Sequence, residues 1–153
     1  MKLITRNTDY AMRALCYIAK QAERPVSVTE MVAALKIPRS FLRKILQILS
    51  GKGLLKSTKG QGGGFSLVPS AEKVPLTDLI GIFQGTIQLN ECVFKKKICP
   101  NRSACVLKKE IDSIEQDVLN RLRKITIASL VNGKKVLSSQ KKGRSHGDCS
   151  SSH

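Results

Sequence analysis

Two short apolar-periodic segments separated by one tight turn, followed at once by two strand-forming runs across a glycine-rich link, leave few folds open to this chain. The first segment opens at Ser27-Val28-Thr29-Glu30. That is a capping-box pattern, in which the Ser27 and Glu30 side chains satisfy backbone donors across the first turn. It runs on through Met31, Val32 and Leu35 and stops at Lys36-Ile37-Pro38. The second opens at Pro38 to Ser40, is expected to turn Phe41, Ile45, Ile48 and Leu49 inward, and ends at Ser50-Gly51-Lys52-Gly53. Two helices with a tight turn between them are the helix-turn-helix pattern. Leu54-Leu55-Lys56-Ser57-Thr58 and Phe65-Ser66-Leu67-Val68 then read as strands joined by Lys59-Gly60-Gln61-Gly62-Gly63-Gly64. A hairpin directly behind a helix-turn-helix is a wing. A flexible turn is the bland rival. A nucleotide-cradling loop needs a helix after the glycines. Here both flanks read as strands and no Gly-Lys-Ser/Thr follows, so that reading fails.

The same stretch carries one sign of charge. Between Met31 and Ala71 there is no acidic residue, while Lys36, Arg39, Arg43, Lys44, Lys52, Lys56 and Lys59 are basic. A charge run is usually a solvated face. Solvated helices, however, normally mix both signs to gain i,i+4 pairs. A folded, apolar-patterned segment without acids is instead shaped for phosphates. The whole chain agrees, with 27 Lys+Arg against 11 Asp+Glu and a formal net charge of +16. A surplus of that size repels itself and generally exists to meet a polyanion.

The remaining elements build a body around this segment. A first helix is expected from Asp9 to Ala22, with Ala11, Leu15, Ile18, Ala19 and Ala22 as its apolar face and Asn7 or Thr8 as its cap. Glu23-Arg24-Pro25 ends it. A small helix follows Pro75, from Thr77 to Phe83. A long helix from Val106 to Ile125 carries Leu107, Ile111, Ile114, Val118, Leu122 and Ile125 as a heptad-like seam. Such a seam can lie on its own domain, but the preceding domain is too small to cover it, which favours pairing with a second subunit. Paired units then reach two half-sites one DNA turn apart.

The expected fold class is therefore mainly α with a small β-wing: a winged helix-turn-helix domain over residues 1–80, with the helix-turn-helix at 28–51 and the wing at 54–68. Residues 81–105 hold a small helix and a cysteine loop, and 106–137 a dimerisation helix with a short C-terminal helix. The polar, low-complexity tail at 138–153 is expected to be disordered. No apolar run approaches the roughly 18 residues of a membrane span, and the N-terminus has no signal-peptide core. The expectation is a soluble, cytoplasmic homodimer with no membrane partner.

Five cysteines, an odd count, argue against a disulfide framework in a reducing compartment. Cys92, Cys99 and Cys105 fall within fourteen residues. Thiolates are soft ligands that select zinc, copper(I) or iron–sulfur. Six and then five residues separate these cysteines, wider than the paired knuckles of structural zinc sites. Wide, uneven spacing suits a loop draped around something larger than one ion. Lys95, Lys96, Lys97, Lys108 and Lys109 would favour thiolates and offset the charge of such a cluster. Three readings stand: an iron–sulfur cluster, a thiol redox switch or zinc site, and structurally idle cysteines. Cys16 reads as a small buried residue. Cys149, His146 and His153 read as incidental.

With these features in place, the sequence resembles the bacterial winged-helix regulators that include IscR, NsrR and RirA, from Met1 to about Leu137. Thr8-Asp9-Tyr10-Ala11, the helix-turn-helix from Val28 to Gly51, Lys59-Gly60-Gln61-Gly62-Gly63-Gly64-Phe65 and the Cys92, Cys99, Cys105 triplet carry the resemblance. It implies transcriptional control, a homodimer with an exchanged long helix, and a cluster held by the three cysteines. IscR-like members place a histidine three residues after the last cysteine, where this chain has Lys108. NsrR-like members can use an aspartate of the first helix from the partner subunit, a position Asp9 matches. Asp9 also reads as an acid complementing a helix N-terminus. The resemblance leaves open a 2Fe-2S or a 4Fe-4S cluster, and nitric oxide, iron or cluster supply as the signal.

The functional expectation is a DNA-binding regulator, of repressor type, whose operator affinity follows the cluster. Arg39, Ser40 and Arg43 open the recognition helix, where arginine can bond a guanine edge twice. Lys44, Lys52 and Lys56 are expected at phosphates. Lys59 and Gln61 tip the wing toward a narrow minor groove. Ser27 and Thr29, at a helix N-terminus, can hold a phosphate as well as cap. Rivals are a cluster-free regulator using the cysteines as a thiol switch, a zinc-stapled module, and an iron–sulfur DNA glycosylase. The last lacks here a fourth clustered cysteine and a catalytic helix-hairpin-helix, and no other catalytic constellation is present.

Overall fold

The structure is a computed structural model that describes residues 3–87 and 105–133. Its centre is α1 (Arg6–Lys20), which packs against four other helices of the body. Ala11, Ala14, Leu15 and Ile18 are its buried stripe. The helix starts earlier and ends earlier than its apolar spacing suggests. Thr5, in extended conformation, stands at the N-cap without a side-chain cap bond. Asn7 and Thr8 lie inside the first turn and do not cap it, and Thr8 is fully buried. Ala22 lies beyond the helix and is exposed.

The helix-turn-helix is formed by α2 (Val28–Leu35) and α3 (Arg39–Gly51). Lys36, at φ 56°, takes the left-handed conformation that ends α2. Only half of the expected capping box is made. The Glu30 N–H donates to Ser27 Oγ at 3.2 Å. The Glu30 carboxylate turns away, accepting from Arg24 at 2.7 and 2.9 Å and from the Tyr17 hydroxyl at 3.1 Å. A guanidinium is a stronger partner for it than one backbone N–H.

On α3 the buried stripe is Leu42, Ile45, Leu46 and Leu49. Phe41 points outward, 50% exposed, against the expectation from sequence. At 3.6 residues per turn it lies about 90° from the centre of that stripe.

The wing pairs β1 (Leu55–Thr58) with β2 (Gly64–Leu67) antiparallel, Leu55 opposite Leu67 and Thr58 opposite Gly64. Val26 bridges the outer side of β2 through reciprocal 2.9 Å bonds with Phe65. That contact explains a glycine: a Cβ on Gly64 would lie 2.4 Å from the Val26 carbonyl oxygen.

A 3-10 turn (Ala71–Lys73) leads to α4 (Leu76–Gln84); α5 (Val106–Arg123) and α6 (Ile127–Val131) follow. The chain returns to the same core at its end. Leu76 N–H donates to Ile125 O at 2.8 Å, Ile127 N–H to Val74 O at 3.0 Å, and Ile127 is fully buried. On the long helix the seam is covered only near its C-terminal end. Leu122 is in the core and Val118 packs against it, whereas Leu107 is 67% and Ile114 53% exposed. No described helix is long and apolar enough to cross a membrane. Cys92, Cys99 and the tail at 138–153 lie outside the described residues.

Candidate nucleic-acid interface

The helix-turn-helix and the wing present the acid-free segment to solvent. Arg39, Ser40, Arg43 and Lys44 are all exposed on the first two turns of α3. Pro38 precedes them in the N-cap position and offers no side-chain acceptor, so the first-turn N–H groups and the helix dipole face outward with the arginines. Lys52 follows the end of α3. Lys56, Lys59 and Gln61 are exposed along the hairpin, whose β1 is exposed beyond buried Leu55 while β2 is half-buried.

The ion pairs Arg13–Asp9, Arg24–Glu30 and Lys108–Asp112 involve none of these cations. Glu30, the last acid before the basic segment, is neutralised within its own element pair. The Arg24 hydrogen bond, helped by that of Tyr17, holds its carboxyl below the ordinary carboxylate value.

Ser27 is half-buried with its hydroxyl on the Glu30 N–H, so it caps α2; Thr29 is exposed. Two further exposed residues of α3 are candidates that the sequence did not single out. Gln47 is exposed one turn beyond Arg43, on the same face, and its i,i+4 spacing was the available signal. Phe41 was missed because an aromatic side chain is by default assigned to the core.

Of the proposed cluster ligands, the structure describes Cys105 and Asp9. Cys105 is half-buried at the N-cap of α5 and makes no side-chain cap bond. Its sulfur is a soft donor of the kind that soft metals select. Asp9 lies in the first turn of α1, its carboxylate 3.0 Å from Arg13 Nε. Lys108, where a histidine would complete an IscR-type set, is paired with Asp112. Among the described residues no three His, Cys, Asp or Glu side chains gather as a metal site. Cys16 is half-buried against the core, and burial pushes its thiol up, as befits a packing residue.

Residues 4–133 match the family model described as Rrf2, iron-dependent transcriptional regulator. A protein of Aquifex aeolicus (strain VF5), described as an HTH-type transcriptional regulator, is 31% identical over 125 residues, 80% of this chain and 87% of the relative. Two solved structures share the fold. CymR (YrzC), the global cysteine regulator of B. subtilis, superposes with a TM-score of 0.72 at 21% identity, covering 88% of this chain and all of that one. T. potens IscR does so with a TM-score of 0.63 at 23% identity, covering 92% of this chain and 94% of its own.

Proposed function

Because this chain belongs to the Rrf2 family of transcriptional regulators, we propose that it is a homodimeric repressor whose grip on its operator follows an iron–sulfur cluster held by Cys92, Cys99 and Cys105. Winged-helix members of the family bind DNA and typically act as dimers. They are regulators and not enzymes, which sets the glycosylase reading aside. The observation that carries the DNA half is the exposed, acid-free surface formed by the first turns of α3 and the wing. Arg39 and Arg43 read base edges there, Lys44, Lys52 and Lys56 meet phosphates, and Lys59 with Gln61 reaches the adjoining groove. Thr29 adds a phosphate contact beside the N-terminus that Ser27 caps.

The partly covered α5 seam supports the dimer. Leu107 and Ile114 repeat along an exposed apolar face that needs a second helix to leave water.

The cluster half rests on the donor chemistry of three closely spaced cysteines, one of them at a helix N-cap. When bound, such a cluster supplies a redox-labile, nitric-oxide- and iron-responsive linkage. Cys105 would tie it to the first turn of α5. Asp9, at the start of the helix that packs against both α2 and α3, is the oxygen donor proposed for its fourth position from the partner subunit. Under this reading the signal is nitric oxide, iron or cluster supply.

One observation favours a second reading, a cluster-free regulator using its cysteines as a thiol switch or zinc site. Lys108 stands engaged with Asp112 where a histidine would complete a ligand set, and the fold is shared with a cysteine regulator. An absorbance spectrum of protein purified without oxygen, with iron and sulfide assayed on the same sample, separates the two. Visible absorption with matched iron and sulfide, lost in Cys105→Ala, supports the cluster. A colourless, zinc-free or zinc-only protein after reconstitution supports the second reading.

A further inference from the structure

Phe41 is an aromatic ring turned to solvent at the edge of the basic surface, with Lys44 one turn on along its own side of α3. Phe65 and Phe83 pack against the core, whereas Phe41 is 50% exposed. Ser40 and, one turn on, Lys44 are its exposed neighbours on α3, and no acid occurs from Met31 to Ala71. A partner for this patch must bring negative charge to the cations and a small apolar group to the ring beside Lys44. The major groove of B-DNA offers both, with phosphates on its rims and the thymine C5-methyl on its floor. Phe41 is the third residue of the second helix of a helix-turn-helix, among the residues that reach base edges when such a helix enters the groove.

We propose that Phe41 is a specificity-determining residue that packs on a thymine methyl in each half-site, on the flank of α3 that also carries Lys44. This rests on the DNA-binding reading. It adds that the preferred half-site contains a thymine recognised without a hydrogen bond, so that the discrimination at that position is steric and apolar.

The test begins by selecting duplexes from a random pool with the full-length protein prepared without oxygen. In the selected duplex each thymine is then replaced in turn by deoxyuridine, which removes only the methyl group. The wild-type protein should lose about fourfold in affinity at one thymine per half-site, the loss expected for one methyl leaving contact at about 0.8 kcal/mol. Phe41→Ala should bind the thymine and uracil duplexes equally, and Phe41→Leu should keep part of the difference. Oligomeric state should not change and the thermal midpoint should change little in either variant, because half of the ring already faces solvent.

Indifference of the wild type to uracil at every thymine would overturn the inference, as would undiminished sensitivity in Phe41→Ala. A change of oligomeric state in Phe41→Ala would overturn it too, by assigning the ring to a protein contact. Selection that enriches no sequence would instead overturn the DNA-binding reading itself, and the role of Phe41 with it.

Discussion

The Thr8 hydroxyl donates to Gln84 Oε1 at 2.6 Å across 76 positions of the chain. The same oxygen accepts the Thr5 N–H at 2.8 Å, and Gln84 Nε2 donates to Leu3 O at 3.2 Å. One carboxamide thus ties the start of α1 to the last turn of α4, eight residues before Cys92. Asp9 is the next residue after Thr8, so the segment leading to the cysteines departs beside the turn that carries the proposed oxygen donor.

Removing that carboxamide leaves a fully buried hydroxyl with only Thr5 Oγ1, 3.2 Å away, as its side-chain partner. Gln84→Ala should lower stability by about 1–3 kcal/mol, the penalty for a buried polar group deprived of its partner. Urea titration of the variant and the wild type checks it, with an unchanged slope and a lower midpoint as the expected result.

The wing should be more sensitive to one methyl group than to the loss of a charge. In Gly64→Ala the new Cβ would lie 2.4 Å from the Val26 carbonyl oxygen, an atom of backbone that cannot swing aside. The Val26–Phe65 bridge should open while α1, α2 and α3 remain. Far-ultraviolet circular dichroism should therefore keep its helical signal while DNA affinity falls.

Glu30 gives a pH dependence whose sign follows from its partners. Its carboxyl is held below the ordinary value by the Arg24 hydrogen bond first and by that of Tyr17. A depressed folded pKa means that the contribution is fully present above the unfolded value and is lost as pH falls through the folded one. Glu30→Gln should therefore be less stable than the wild type near neutrality and converge with it below about pH 4, near the unfolded carboxylate range. Parallel stability curves of the two proteins over the whole acid limb would contradict the pairing.

The two kinds of cation on the surface should separate by salt and by sequence. Lys56→Ala should weaken binding to all duplexes alike and reduce the slope of log affinity against log salt by about 0.9. Arg43→Ala should cost about 1–3 kcal/mol on the preferred duplex and relax the choice of base at one position per half-site. Affinities measured at several salt concentrations, on preferred and scrambled duplexes, distinguish them.

Much of the architecture was legible because it rests on local rules. The Ser27 cap, the apolar repeats of α2 and α3 and the glycines before Phe65 each follow from spacing within a dozen residues, and the helix-turn-helix and wing stand where those signals put them. What escaped depends on distant partners. Thr8 reads as a cap until Gln84 arrives from 76 positions away to draw it inward. Glu30 reads as the second half of a capping box until Arg24 and Tyr17 claim its carboxylate. Phe41 reads as core because its character favours burial, although the leucine and isoleucine stripe beside it already fills the space over α1. Among the candidate site residues, the cations were legible from charge alone, whereas Gln47, a neutral residue, is marked only by its spacing from Arg43.

The most direct test of the account compares one selected operator duplex, at one salt concentration, with two forms of the full-length protein. One form is purified without oxygen and assayed for iron and sulfide, and the other is the same preparation after chelation of its iron. The account predicts matched iron and sulfide in the first form. It also predicts a change in operator affinity of about 5–150-fold between the two, the usual span of coupling between linked sites. Equal affinities for the two forms would contradict it, and would leave a DNA-binding dimer whose cysteines answer to something other than a cluster.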